Sequence, residues 1–127
     1  MTIGDVMKFT SLERDVIGWI VRHCDDEALV QQLMSAKPRK REFTGVGSFT
    51  NVLVPAGMPK ARQRVYYDQG LPLVVSPELE HGAGTVLFCK EGVADFLEFY
   101  TFGSDPFPQV LRSWELKPLA MTRLPRQ

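Results

Sequence analysis

The chain has only two cysteines, Cys24 and Cys89, among its 127 residues. Two cysteines are too few for the disulfide framework that stabilises many small secreted domains. Each lies within an apolar pattern, where a free thiol behaves as a small hydrophobic group. We therefore expect reduced thiols and a cytoplasmic protein.

Long hydrophobic runs are also missing. No apolar stretch approaches the ~20 residues that a transmembrane helix needs. The first residues, Met1 to Phe9, lack the basic stretch followed by an apolar run that marks a signal peptide. We expect no membrane association. The length suits one domain, and 44% hydrophobic with 24% charged residues is ordinary globular usage.

Motifs for catalysis, phosphate binding and metal coordination are absent as well. Neither Gly45-Val-Gly47 nor Gly82-Ala-Gly84 is followed by a helix start with lysine and serine or threonine, so neither is a phosphate loop. His23-Cys24-Asp25-Asp26 offers four adjacent metal ligands, but adjacent side chains diverge, whereas zinc needs ligands that converge. We predict no catalytic residue, no metal and no cofactor, and a binding function rather than an enzyme.

What the sequence does contain is a helical pattern followed by an extended one. Apolar residues recur at helical spacing over residues 10–23, and Thr10 with Glu13 fits a capping box. A second, shorter helix follows at once, capped by Asp25 or Asp26, and ends before a proline.

From Arg41 the pattern becomes extended. Residues 42–55 are rich in β-branched and aromatic residues, and their two glycines indicate a bulge or bend that divides them. The clearest hairpin is Thr85 to Tyr100, turning at Lys90-Glu91-Gly92. Shorter strands are expected at 64–67, at 71–76 (an edge strand, because of Pro72) and around 113–117.

Helices first and strands afterwards predict an α+β fold, with two N-terminal helices packed on a mostly antiparallel β-sheet. We expect one domain over residues 1–127. The helical pair occupies 1–36, the sheet 41–119, and a frayed tail 122–127.

The net charge is zero, but the charges are arranged in blocks. The net charge is −3 over residues 1–36, +6 over 37–67, −6 over 68–106 and +3 over 107–127. Such blocks favour a charged partner or self-association into a homo-oligomer. Alternatively, blocks that are neighbours in space neutralise one another.

The strand that contains Asp95 and Glu98 is the strongest candidate for a functional surface. Side chains alternate along a strand, so Asp95 shares a face with Leu97, whereas Glu98 shares one with Phe96 and Tyr100. Either each acid lies at a rim or meets an arginine, or the strand presents an acidic and aromatic surface that docks a basic protein, such as a nuclease toxin. The docking hypothesis assigns partner binding to Asp95, Glu98, Tyr100, Glu78, Glu80 and His81.

Two other functions remain open. A nucleic-acid-binding module would use the basic segment 37–67, with tyrosines 66 and 67 stacking on bases, although the neutral chain argues against it. Its phosphate contacts would come from Arg39, Lys40, Arg41, Arg62 and Arg64. A small hydrolase or ligand-binding domain would centre on His81 beside a glutamate in a glycine-rich loop, although no nucleophile is evident.

Between Glu42 and Pro108, about half of the chain, glycines, prolines and aromatics form a recognisable arrangement. It consists of Phe43-Thr-Gly-Val-Gly-Ser-Phe49, His81-Gly-Ala-Gly84, Leu97-Glu-Phe-Tyr-Thr-Phe-Gly103 and Pro106-Phe-Pro108. The arrangement resembles a group of small, mostly uncharacterised bacterial proteins, some of which are similar to immunity proteins of polymorphic toxin systems. The chain differs from that pattern at Phe99, where glycine is expected, and at Phe107, where tryptophan is expected. The resemblance implies a bacterial cytosolic fold and a protein-binding role.

Overall fold

A computed structural model describes residues 7–62, 65–67, 70–103 and 105–118, in which two helices precede seven strands. Helix α1 spans Ser11–His23 and helix α2 spans Glu27–Ser35. The strands are β1 (Lys37–Phe43), β2 (Gly47–Leu53), β3 (Tyr66–Tyr67), β4 (Pro72–Val75), β5 (Ala83–Lys90), β6 (Val93–Thr101) and β7 (Glu115–Pro118). Six of them lie in the order β1-β2-β6-β5-β4-β7, and β3 pairs with β5. Every described pairing is antiparallel, so the predicted α+β fold is confirmed.

Both helices begin at predicted caps. The backbone N–H of Glu13 donates to the Thr10 hydroxyl (3.0 Å), and that of Thr10 donates to the Glu13 carboxylate (2.9 Å), which completes the capping box. Asp26 caps α2 by accepting from the N–H of Leu29 (3.4 Å). Its other oxygen accepts from the N–H of Arg62 (2.7 Å), so this cap also holds the loop that leads towards β3.

Helix α2 is bonded to the central hairpin through Gln32, whose side chain is fully buried. Its Nε2 donates to the carbonyls of Pro59 (2.7 Å) and Gly92 (2.9 Å), and its Oε1 accepts from the N–H of Ala94 (2.8 Å). A buried amide is tolerated where its hydrogen bonds are made. Gln32 therefore fixes the helix over the β5–β6 turn.

The β5–β6 hairpin forms as predicted. Lys90 pairs with Val93, and the two residues between them, Glu91 and Gly92, have φ of 52° and 85°. Two consecutive positive φ angles define the tight turn whose twist suits a hairpin, and glycine adopts it at the second position without strain.

The sheet begins earlier than expected. Residues 37–40, which lie between the predicted helical pair and the predicted sheet, are the first part of β1, at one edge of the sheet. An edge position suits this sequence, because charged residues and Pro38 discourage pairing with another chain. The sequence of this segment, Lys37-Pro-Arg-Lys-Arg41, has no alternating apolar residues that would predict a strand. An edge strand with no buried side chain does not need them.

The prediction that Pro72 marks an edge strand is wrong. Strand β4 lies between β5 and β7, although it registers with β5 only at Val74 opposite Ala83. Pro72 stands opposite Pro118 of β7, a position at which neither strand needs a backbone N–H. The last strand, expected around 113–117, is confirmed as β7; the expected tail 122–127 lies outside the described residues.

One face of the sheet, the inner face, packs against both helices. Buried core residues come from α1 and α2 on one side and from β2, β5 and β6 on the other. The segment 105–114 covers the same face, where Phe107 stacks on Phe99 with ring centroids 5.9 Å apart. Phe99 and Phe107, the two residues at which the chain differs from the pattern it resembles, therefore contact each other.

A buried ion pair joins α1 to the sheet. Glu13, only 2% exposed, accepts from Nε (2.8 Å) and Nη2 (2.6 Å) of Arg41 on β1 and from the hydroxyl of Thr50 (2.5 Å) on β2. Burial alone raises the pKa of Glu13, but the hydrogen bonds from Arg41, Thr50 and the Thr10 backbone outweigh burial and lower it. The carboxylate is therefore held in its charged form.

We expect Glu13→Gln to lower the free energy of unfolding at pH 7 by about 3 kcal/mol, because Arg41 would keep a side chain only 15% exposed without its counter-charge. Urea denaturation measures the loss. The folded pKa lies below the ordinary value of 4.5, so the stabilisation is present above pH 4.5 and lost as the pH falls towards the folded pKa.

The matched control is Glu27→Gln, because Glu27 is an exposed acid in the first turn of α2. It should cost only a few tenths of a kcal/mol, the size of a helix-dipole effect. Equal losses in the two variants would show that the ion pair does not hold α1 to the sheet.

Candidate functional site

The face of the sheet opposite the helices, the outer face, is the most distinctive surface of the described chain. Register and alternation place seven side chains on its centre: Phe49 and Asn51 of β2, Val86 and Phe88 of β5, and Phe96, Glu98 and Tyr100 of β6. All seven are partly exposed. Neither described helix packs on this face, so its aromatic side chains contact one another instead.

Glu98 occupies the middle of the outer face. It stands opposite Val86 on one side and Phe49 on the other, and its neighbours along the strand are Phe96 and Tyr100. Opposed side chains on neighbouring strands lie about 5 Å apart. The carboxylate is therefore surrounded on four sides by apolar or aromatic groups.

The aromatic side chains around Glu98 are held in place by their own contacts. Phe49 and Phe96 meet edge to face, with ring centroids 6.5 Å apart, and Tyr100 meets Phe102 in the same way at 5.6 Å. The ring of Tyr100 lies directly over Gly84, at a point where any Cβ would collide with it. The surface is therefore preorganised rather than a set of loose side chains.

Glu98 makes no hydrogen bond or ion pair with any residue that the structure describes. Partial burial raises the pKa of its carboxyl, because the charged form loses solvation among these rings. Lys40, on the edge strand of the same face, is directed to Glu42 instead, at 3.8 Å. Among the residues that the structure describes, Glu98 at the centre of the outer face is thus an acid without a partner.

The predicted face of Asp95 needs correction. Phe88 pairs with Phe96 and Cys89 with Ala94, so Asp95 is the extra residue of a β-bulge and does not alternate with Leu97. Its carboxylate accepts from the side-chain amide of Asn51 (3.2 Å), as does its carbonyl (2.9 Å). Asp95 is therefore a partnered acid beside the outer face.

We expect Glu98→Gln to raise the free energy of unfolding at pH 7 by at most about 0.5 kcal/mol. The carboxylate loses some solvation on folding, but it is only partly buried and solvent still screens its charge. A carboxyl whose pKa is raised by folding destabilises the protein at high pH, and this cost disappears as the pH falls through the folded pKa. The gain should therefore vanish under acidic conditions. Urea denaturation at pH 7 and below pH 4 tests it, and an unchanged stability at pH 7 would show that Glu98 is already paired.

His81 lies on an exposed loop, with 62% of its side chain accessible. Its Nδ1 lies 2.9 Å from Oδ2 of Asp105, and the ligand atoms of Glu80, His81 and Asp105 all lie within 4.8 Å of one another. These three could share a cation, but they form an open surface group. No nucleophile accompanies them in the part of the chain that the structure describes. Glu78 is turned away and accepts from the backbone N–H of Arg112 (2.8 Å).

The hydrogen bond and charge of Asp105, together with the charge of Glu80, raise the pKa of His81. We expect Asp105→Asn to return it towards the ordinary value of 6.5. Titration of the imidazole proton resonances by NMR measures the change. Glu80→Gln is the control and should lower the pKa by less, because Glu80 acts through its charge alone; an unaltered pKa in Asp105→Asn would contradict the contact.

The basic segment proposed for nucleic acid is not a continuous phosphate-binding surface in the described chain. Arg41 is committed to Glu13, and Arg62 pairs with Asp25 at 3.1 Å. Tyr67 is buried and has no face free for a base. Arg39 and Lys40 are exposed, and the position of Arg64 lies outside the described residues.

These ion pairs also show which of the charge blocks in the sequence are neighbours in space. The pairs Arg41–Glu13 and Arg62–Asp25 join the basic block to the acidic helices. Within the described residues, no ion pair joins the basic block to the acidic block 68–106, although β2 and β6 are neighbours in the sheet. Glu98 of β6 therefore has no ion pair with a basic residue of the described chain.

Sequence analysis missed Phe49 and Phe88 as parts of this surface. The alternation of each strand was visible, but which strands are adjacent, and in which register, was not. Phe49 reaches Glu98 because β2, which is distant in sequence, pairs with β6.

No protein-family model matches the chain, and neither the curated proteins nor the solved structures yield a significant match. Neither described helix is long and apolar enough to cross a membrane.

Proposed function

We propose that this chain is a non-enzymatic bacterial protein that binds a basic protein partner in the cytoplasm through its outer face. The observation that carries the proposal is Glu98, a partly buried carboxylate with no hydrogen-bond or ion-pair partner among the described residues, framed by Phe49, Phe96 and Tyr100. A partner's lysine or arginine placed here would meet the carboxylate and the faces of the rings together. Both contacts strengthen as water is excluded.

Glu98 destabilises the free protein, and this cost supports a positively charged partner. A binding site often retains a group that destabilises the isolated fold because the group is satisfied only in the complex. The positive charge of a partner's cation would offset the desolvation that raises the pKa of Glu98. A partner with an acid at the same point would instead add repulsion.

The size of the outer face suits a protein more than a small molecule. Strands β1, β2, β5 and β6 have 7 to 9 residues and lie side by side. At ~3.3 Å per residue and ~4.8 Å between strands, they form a surface of roughly 25 by 20 Å. That area is over half of the ~800 Å² that each partner contributes to a standard interface.

The more specific form of the proposal is an immunity-type protein that neutralises a toxin by direct binding. It rests on the resemblance in residues 42–108 together with the acid at the centre of the face. Nuclease toxins are basic because they bind phosphates, and an acidic, aromatic face is complementary to such a surface.

The test partner is a purified basic toxin domain encoded next to the gene of this chain. We expect Glu98→Arg to reduce affinity for such a domain at least 100-fold, and Glu98→Gln about tenfold. The reason is that arginine adds repulsion, whereas glutamine removes only the charge. Calorimetry measures the affinity. Glu115→Arg, an exposed acid on β7, is the matched control and should bind as the wild type does.

Three outcomes would contradict the proposal. One is the absence of a complex with that protein; another is an equal loss in the Glu98 and Glu115 variants. The third is salt-sensitive binding of single-stranded RNA or DNA that Glu98→Arg strengthens, which would favour the nucleic-acid alternative. Sedimentation of the chain alone detects self-association through the outer face, which would assign that face to a second copy instead.

A further inference from the structure

A cavity, the loop pocket, lies on the inner side of the sheet. It is enclosed by the first turn of α1, the adjoining ends of β1 and β2, and the segment 107–112 with Trp114, and its volume is about 300 Å³. Small-molecule sites begin at about this size. Phe99 lines the cavity, whereas its neighbour Glu98 lies on the opposite face of the sheet. The loop pocket is therefore independent of the proposed protein interface.

The interior of the loop pocket is apolar and largely aromatic. Phe99 and Phe107 are buried and stacked on each other, with their ring planes 14° apart. Phe43 and the buried Leu12 and Leu111 line the same cavity. Such walls favour a ligand with a flat apolar body, because the faces and edges of the rings are held at fixed positions and can pack against another ring.

Three charged residues line the loop pocket: Glu13, Arg41 and Arg112. Glu13 and Arg41 neutralise each other, because Nη2 and Nε of the guanidinium donate to the carboxylate at 2.6 and 2.8 Å. Arg112 is exposed, and its side chain makes no hydrogen bond or ion pair with any residue that the structure describes. Among the described residues that line the cavity, Arg112 therefore supplies a positive charge that no acid neutralises.

Two further acids bond to residues that line the loop pocket, although neither of them lines it. Glu78 accepts from the backbone N–H of Arg112 (2.8 Å), and Asp15 accepts from the indole N–H of Trp114 (2.9 Å). Their charges weaken the attraction that Arg112 exerts on an anion in solution, because screened charges of opposite sign largely cancel at long range. The preference for an anion therefore depends on direct contact with the guanidinium.

We propose that the loop pocket binds a small aromatic carboxylate. Its ring packs against Phe99 and Phe107, and its carboxylate accepts hydrogen bonds from the guanidinium of Arg112. Arginine suits this role because its planar fork donates two parallel N–H bonds to the two oxygens of a carboxylate. An uncharged ligand would gain no ion pair with Arg112, and an aliphatic anion would make no use of the aromatic walls. The site therefore recognises a ring and a negative charge together.

Phenylacetate is a direct probe, with phenylacetamide and acetate as the comparisons. In a ¹H–¹⁵N NMR titration of the full chain, phenylacetate should produce saturable shifts at the backbone of Phe107 and Leu111 and at the indole N–H of Trp114. The indole N–H of Trp19, which donates to the carbonyl of Gly70 away from the cavity, should not shift. Phenylacetamide should bind about fivefold more weakly because it lacks the charge, and acetate at least about tenfold more weakly because it lacks the ring.

Arg112→Gln should weaken phenylacetate binding about fivefold and leave phenylacetamide binding unchanged, because it removes a charge that only the anion contacts. The matched control is Arg22→Gln, which removes an exposed arginine in the last turn of α1, at the opposite end of that helix from the cavity. It should change the affinity for neither ligand. Thermal denaturation should show both variants to be as stable as the wild type, because both side chains are exposed.

Absence of saturable phenylacetate shifts, or shifts confined to the outer face, would overturn the proposal. So would phenylacetamide or acetate binding as tightly as phenylacetate. An unaltered phenylacetate affinity in Arg112→Gln, or an equal loss in the two arginine variants, would show that Arg112 does not contact the carboxylate and would overturn the assignment as well.

Discussion

The fold depends on how α1 is attached to the sheet, and that attachment is polar at its centre. The Glu13 carboxylate caps its own helix while accepting from Arg41 of β1 and Thr50 of β2. One side chain thus fixes the start of the helix, the position of the edge strand and the orientation of the helix on the inner face. Apolar packing alone would hold the helix to the sheet without specifying this register, because the hydrophobic effect is not directional.

This arrangement divides the molecule into two unlike surfaces. The inner face uses its polar groups internally: Glu13, Asp26 and Gln32 each bond to a neighbouring element. On the outer face, Glu98 lies among aromatic rings and has no partner within the described residues. A fold that satisfies its buried polar groups so completely on one side has no structural need for an unpaired acid on the other, which is why Glu98 points to a partner rather than to stability.

The local elements could be predicted from the amino-acid sequence: the Thr10–Glu13 capping box, the turn at Glu91-Gly92 and the order of helices before strands. Each of them depends on neighbours within a few residues. Three other features became visible only in the folded chain: the basic residues before Glu42 form an edge strand, Pro72 lies inside the sheet, and a bulge separates Asp95 from the alternation of β6. All three features depend on strand order and register, which bring together residues that are distant in sequence, such as Phe49 and Glu98. Local periodicity carries no information about such long-range pairing.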